Sequence, residues 1–361
     1  MTVQTKNGHA RTMRQPVRGV CLLALAAPAV VGDQRAACER LRAGWVDGGC
    51  ARGDRRGCRF VHIPKTGGSS LRTELEANFG LSLGSKEACF WDEYLGRRPD
   101  ANLITLLRAP RQHVLSQYAE CGWSHFGRKH TAAYAVLVPD APPFPGANTS
   151  HGLRAWLAHF ADDGWTYGGS GDWDCYNPSN MEARALTCGG EEFEEGNATS
   201  RKTRRATAEG YVAASLAGHR SNAHHVKYRG VGVAPPLARA LEALEKTDHV
   251  GLTELYHESL CLLVFRIDGK LPPGCACEAE RRPPHEHEDK GVPRHGLSDL
   301  DADTTRLADA LTAVDAPLYI TGLRRVLRDL GDLEVCSGTR VLCASARDAL
   351  RDATAYLLDP S

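Results

Sequence analysis

The chain has 361 residues, with 44 Lys and Arg balancing 44 Asp and Glu, and 42% of it is hydrophobic. That length and apolar fraction suit one large domain or two modest ones with a real core. Zero formal charge argues against a protein that wraps nucleic acid through a general basic field, and no apolar run approaches the roughly 20 residues of a full membrane span.

The N-terminus carries Lys6, Arg11, Arg14 and Arg18, then an uncharged stretch over 19–32 with small residues at Ala27, Ala29 and Gly32. A basic flank, a short apolar run and small residues describe a signal peptide or short signal anchor over 1–32. Of thirteen cysteines, its removal would take Cys21 and leave twelve, an even number able to pair fully. The sequons at Asn148 and Asn197 fit a lumenal surface, and the one at Asn177 is excluded by Pro178. These signals together predict the secretory pathway.

Residues 33–57, rich in Arg, Ala and Gly, read as a stem or linker. A first strand is predicted at 58–64 (Cys-Arg-Phe-Val-His-Ile-Pro), followed by a glycine-bearing turn. A helix then carries Leu71, Leu75 and Phe79 on one face. The run 102–108 is nearly all apolar, as expected for a strand covered on both faces. It passes through Ala109-Pro110 into a helix with Val114, Leu115 and Tyr118. A third strand is predicted at 249–253, followed by a helix with Leu260, Leu263 and Val264. Stretches 127–150, 189–209 and 272–296 read as irregular loops, and helix returns over 304–330 on both sides of Pro317. Strand, turn and helix in repetition predict an α/β fold, with a P-loop-like central parallel sheet flanked by helices and interrupted by long loops. A domain over 58–335 and a C-terminal tail over 336–361 follow.

The turn Pro64-Lys65-Thr66-Gly67-Gly68-Ser69-Ser70 between strand and helix has a physical use. A helix start leaves N–H groups unpaired and attracts an anion. Gly67 and Gly68 permit close approach. Lys65 adds a mobile charge, and Thr66, Ser69 and Ser70 add donors. The lysine precedes the glycines, so this is not the G-x-x-x-x-G-K-[ST] loop of nucleoside triphosphatases.

The segment His62-Ile63-Pro64-Lys65-Thr66-Gly67-Gly68-Ser69-Ser70-Leu71 resembles the 5′-phosphosulfate loop of Golgi carbohydrate sulfotransferases, which use 3′-phosphoadenosine 5′-phosphosulfate (PAPS). Leu106-Leu107-Arg108-Ala109-Pro110, with Val114-Leu115-Ser116-Gln117-Tyr118, resembles that family's 3′-phosphate element. Softer matches follow at 176–186, 250–260 and 311–319, so the resemblance covers about 58–330 in the family's order. It implies a sulfotransferase fold and transfer of a sulfuryl group from PAPS, the co-substrate, to a carbohydrate hydroxyl, with no metal.

The same resemblance assigns roles. Lys65 would neutralise the bridging oxygen between sulfate and 5′-phosphate, residues Thr66 to Ser70 would hold the 5′-phosphate, and Arg108 and Ser116 would hold the 3′-phosphate. Lys86-Glu87-Ala88-Cys89-Phe90-Trp91-Asp92 resembles a segment of heparan sulfate 3-O- and N-sulfotransferases whose glutamate is the general base. That makes Glu87 the first candidate for this role, ahead of Glu74, Asp92 and Glu93. The family usually carries an acidic residue where this chain has Ala109, which would leave the following helix without a cap worth about 1 kcal/mol. The implied partner is a glycan or glycoconjugate, with no nucleic acid, and the implied location is the Golgi lumen with an N-terminal membrane anchor, or outside the cell if the signal is cleaved. An inactive glycan-binding relative, a kinase-like P-loop enzyme and a tyrosine acceptor are the competing readings.

Cys275-x-Cys277 near His285-x-His287 departs from zinc-site spacing, and a disulfide is expected there instead. Cys336 and Cys343 bracket a short turn and are expected to pair locally.

Overall fold

The computed structural model describes residues 33–47, 50, 57–86, 90–137, 144–145, 150–161, 175–187, 234–277, 292 and 296–358. The expected signal segment and the sequons at Asn148 and Asn197 lie outside these residues, as do Cys21, Cys89, Cys188, His285 and His287. Among the described residues no helix is long and apolar enough to cross a membrane.

The chain is α/β. Helix α1 (Gln34–Arg42) precedes β1 (Cys58–Val61), α2 (Gly68–Phe79), β2 (Gly84–Lys86) and α3 (Phe90–Gly96). Then come β3 (Asn102–Leu107), α4 (Pro110–Trp123), α5 (His125–Leu137), α6 (Ser150–Ala161) and α7 (Met181–Thr187). The last group is α8 (Leu237–Glu245), β4 (His249–Leu252), α9 (Tyr256–Asp268), α10 (Ala302–Leu311), α11 (Asp315–Ser337) and α12 (Ala344–Leu358).

The four strands are parallel in the order β2-β1-β3-β4. Every residue of β3 is buried, because helices cover both faces of the sheet. Phe60, Ile104 and Leu106 pack with Leu71 and Leu75 of α2 and Leu260 and Leu263 of α9. Val61, Leu103 and Leu107 point the other way, into a larger core with α4, α8 and α11. The alternation follows from the two-residue repeat of a strand. Because β1 connects outward to β2 while β3 connects outward to β4, the chain reverses direction between β1 and β3. In an open parallel sheet such a point leaves a crevice at the carboxyl ends of the two strands, where ligands bind.

Several elements differ from the sequence expectations. Residues 33–57, expected as a linker, begin with α1. Asp33 caps this helix, its Ala37 and Leu41 enter the core, and it lies along α11 with Cys38 bonded to Cys336. The expected tail contains α12, which buries Leu350 and Ala353. The expected loop at 127–150 contains α5 as far as Leu137. β2 has three residues and no apolar signature. Cys336 and Cys343 do not pair with each other. Cys336 sits at the end of α11 facing α1, and Cys343 bonds Cys277 instead. Cys50–Cys58, Cys121–Cys175 and Cys261–Cys275 complete the disulfides among the described residues.

Candidate functional site

The turn after β1 is held from several sides. Lys65 and Gly67 both take left-handed backbone angles, with φ of 67° and 88°. For lysine such an angle costs on the order of 1–3 kcal/mol and persists only where surrounding contacts impose it. Those contacts are specific: His113 Nε2 donates to Pro64 O at 2.7 Å, Arg108 Nη1 donates to Lys65 O at 3.0 Å, and Thr253 Oγ1 donates to Thr66 O at 2.7 Å. The Thr66 hydroxyl is itself used inside the turn, donating to Ile63 O at 2.9 Å. Three successive carbonyls are therefore claimed by the end of β3, by α4 and by the turn after β4.

The start of α2 is left open. Its first intrahelical bond is Leu71 N to Gly67 O, and no side chain caps it. The N–H groups of Gly68, Ser69 and Ser70 thus have no partner within the helix. Gly68 lies so close to β1 that a Cβ there would meet His62 and Phe60 side-chain carbons at 2.4 Å. Only glycine lets the helix begin this near the strand.

The start of α4 is closed. Arg108 N donates to Glu182 Oε1 at 2.7 Å, Ala109 N to Glu254 Oε1 at 2.9 Å, and Arg111 N to the Tyr356 hydroxyl at 3.1 Å. The helix N–H at Arg111, which an acidic cap at 109 could have taken, is taken by Tyr356, while the carboxylates from α7 and from the turn after β4 hold the two N–H groups just before the helix. The helix start that lacks its own cap is thus held by residues distant in sequence.

Arg108 stands between these two helix starts. Its Nη1 bonds Lys65 O, while Nε is buried and has no hydrogen-bond partner among the described residues. Burial lowers its pKa, and the nearby Glu254 and Glu182 oppose that shift. Burial in turn raises Glu254, whose Oε2 accepts from the Tyr319 hydroxyl at 2.9 Å. Glu182 is pushed well above the ordinary carboxylate range by burial and by Asp315. Asp315 is raised by burial to about 7, although it accepts from Ala183 N at 2.8 Å. His113 is driven down to about 3, chiefly by burial, so its ring is neutral.

On α4, His113 and Glu120 lie two turns apart and both face the turn, since Glu120 Oε2 is 2.7 Å from Lys65 Nζ. Ser116 and Gln117 fall between them on the same stripe. Ser116 is buried, and its hydroxyl has no partner among the described residues. Gln117 is fully buried with neither amide atom hydrogen-bonded among those residues.

The structure therefore brings Lys65, Thr66, Gly67, Gly68, Ser69, Ser70, Arg108 and Ser116 to one end of the sheet. Glu87 and the side chain of Asp92 lie outside the described residues. The other two carboxylates considered as bases have structural partners: Glu93 binds Arg59, and Glu74 is buried against Tyr256, whose hydroxyl is shifted upward by burial and by that carboxylate. The Tyr256 ring lies beside Gly67, so this pair braces the turn from below. Sequence reading gave no role to Glu120, Glu182, Glu254 and Asp315, although Glu254 and Asp315 lie in the softer matches at 250–260 and 311–319. The one available signal for Glu120 was a polar stripe at 113, 116, 117 and 120 beside the apolar Val114, Leu115, Tyr118 and Ala119 of the same helix. Comparison with known proteins gives no match: no family model, no curated protein and no solved structure is similar to the chain.

Proposed function

We propose that this chain is a PAPS-dependent sulfotransferase of the secretory pathway, with the sulfotransferase fold, acting on a hydroxyl of a carbohydrate. The observation that carries the reading is Arg108: a guanidinium bonded to the carbonyl of Lys65, with a buried Nε–H that no described residue accepts. A buried donor without a partner is uncommon and calls for an explanation, and a phosphate is the natural acceptor for an arginine fork. The open helix start of α2 offers a second anion position, at the end of the turn that carries Lys65. A nucleotide with phosphates at both its 3′ and 5′ positions matches two such positions.

In this reading the 5′-phosphate lies on the N–H groups at 68–70 and the hydroxyls of Ser69 and Ser70, and the 3′-phosphate on Arg108 and Ser116. Thr66 contributes shape through its internal hydrogen bond. The acceptor oxygen forms a new bond to sulfur as the bond from sulfur to the 5′-phosphate oxygen breaks, and Lys65 neutralises that leaving oxygen. The hydroxyl proton passes to a carboxylate, for which Glu87 is the candidate. No step requires a metal. The Golgi lumen, with the N-terminal segment as membrane anchor, is the proposed location.

The test is transfer from labelled PAPS to a panel of glycans and tyrosine peptides. The parent is expected to label a glycan, Lys65→Ala to lose transfer, and Glu87→Ala to keep nucleotide binding while turnover collapses. Transfer to tyrosine peptides alone would reassign the acceptor, and no transfer or nucleotide binding by the parent would refute the proposal.

A further inference from the structure

We infer that Glu120 is a positioning residue, which holds the Lys65 ammonium in the resting protein and releases it to an incoming anion. The identity of that anion rests on the sulfotransferase reading; the ion pair does not. Glu120 Oε2 lies 2.7 Å from Lys65 Nζ, and the side chains are 3% and 20% exposed respectively. The carboxylate is therefore the enclosed partner, while the lysine reaches it from the open side of the site.

Three features make the pair a device for placing the lysine. First, the base of the Lys65 side chain is fixed, because its backbone is left-handed and its carbonyl is held by Arg108. The flexible four-carbon stem is the part that can swing between partners. Second, the helix that carries Glu120 is fixed and the side chain is buried. The residue lies in the last turn of α4, between His113, which holds Pro64 O, and Cys121, which is bonded to Cys175. Third, Lys65 is the cation in ion-pair contact with Glu120 among the described residues. An anion at the start of α2 that draws Lys65 away leaves a buried carboxylate uncompensated, which is costly. Glu120 thus lowers the affinity of the empty site for weakly charged anions and keeps the ammonium at the mouth of the anion position.

The experiment is competitive acetylation of the full chain with acetic anhydride, reading Lys65 by mass spectrometry with and without adenosine 3′,5′-bisphosphate. Without nucleotide, Lys65 is expected to react severalfold faster in Glu120→Gln than in the parent. Glu120→Asp keeps the charge but withdraws it by one methylene, so an intermediate rate is expected, and this variant carries the test if the amide variant does not fold. Calorimetry should show tighter bisphosphate binding by Glu120→Gln, and in transfer assays its nucleotide KM and kcat should both fall. A merely structural glutamate would produce neither faster Lys65 labelling nor tighter binding. A parent-like labelling rate in the folded variants overturns the inference. Faster labelling that the bisphosphate fails to slow in any protein supports the ion pair and refutes the nucleotide reading.

Discussion

Two arginines at opposite ends of the sheet, Arg266 buried and Arg108 half-buried with its Nε enclosed, have different uses. Arg266 on α9 commits its whole guanidinium: Nε donates to Leu41 O at 3.3 Å, Nη1 to His249 Nδ1 at 3.0 Å and Nη2 to Asp329 at 2.8 Å. It ties α1, β4 and α11 together near the amino ends of the strands. Arg108, at the carboxyl end of β3, bonds one carbonyl and keeps a buried Nε–H without a partner among the described residues. Burial alone does not separate a structural arginine from a ligand-binding one, but the tally of satisfied donors does.

The largest expected effect breaks the structural side of this contrast. Arg266→Met removes the buried partner of His249 and Asp329 and leaves Asp329 only Arg328 and Arg325, and the loss of stability should be about 3 kcal/mol. Chemical denaturation reads it directly. A midpoint equal to that of the parent would remove the distinction between the two residues. Arg108→Ala should act on binding instead. Loss of charge-assisted hydrogen bonds worth about 1.5–3 kcal/mol should weaken adenosine 3′,5′-bisphosphate by roughly 10- to 100-fold. Calorimetry with 5′-AMP supplies the control, and an equal loss for both nucleotides would show that Arg108 does not read the 3′ group.

A third prediction concerns the carboxyls behind Arg108. Asp315 is raised from 3.8 to about 7 in the folded chain. Below the lower value both states hold the proton and this group leaves stability undiminished. As pH climbs towards the upper value the unfolded chain ionises first, so stability declines through that window. Asp315→Asn, which keeps an acceptor for Ala183 N, should flatten that decline in urea titrations made below and above the window, and an unchanged slope would assign it to other groups. The smallest effect should come from Gln117→Leu. Replacing a buried amide that lacks partners with an apolar side chain of similar size should stabilise the fold by about 1 kcal/mol, seen as a higher melting temperature. A clear destabilisation would show that this amide has a partner outside the described residues.

What could be read from the sequence follows the same division. β3 was visible because a strand buried on both faces is written as a nearly unbroken apolar run, and β1 because a β-branched and aromatic run is stopped by Pro64. β2 was not, because Gly84-Ser85-Lys86 adds a strand by backbone pairing to β1 alone. α1 and α12 were hidden because their buried positions are Ala37, Leu41, Leu350 and Ala353, set among charged neighbours. In the site, Lys65, the two glycines, Arg108 and Ser116 occupy two short contiguous segments and could be recognised there. Glu120, Glu182 and Glu254 come from three separate elements, and only the packing of α4 and α7 beside the end of β3 gives them a shared meaning. The expected Cys336–Cys343 bridge failed for a related reason. Nearness in sequence said nothing of the helix face on which Cys336 lies, which points at α1.

The Cys38–Cys336 bond joins positions 298 residues apart. Tension applied to the chain outside these two positions would pass from sulfur to sulfur and bypass the strands. A protease nick anywhere between them would leave both fragments migrating as one species on a non-reducing gel, and reductant would be needed to part them.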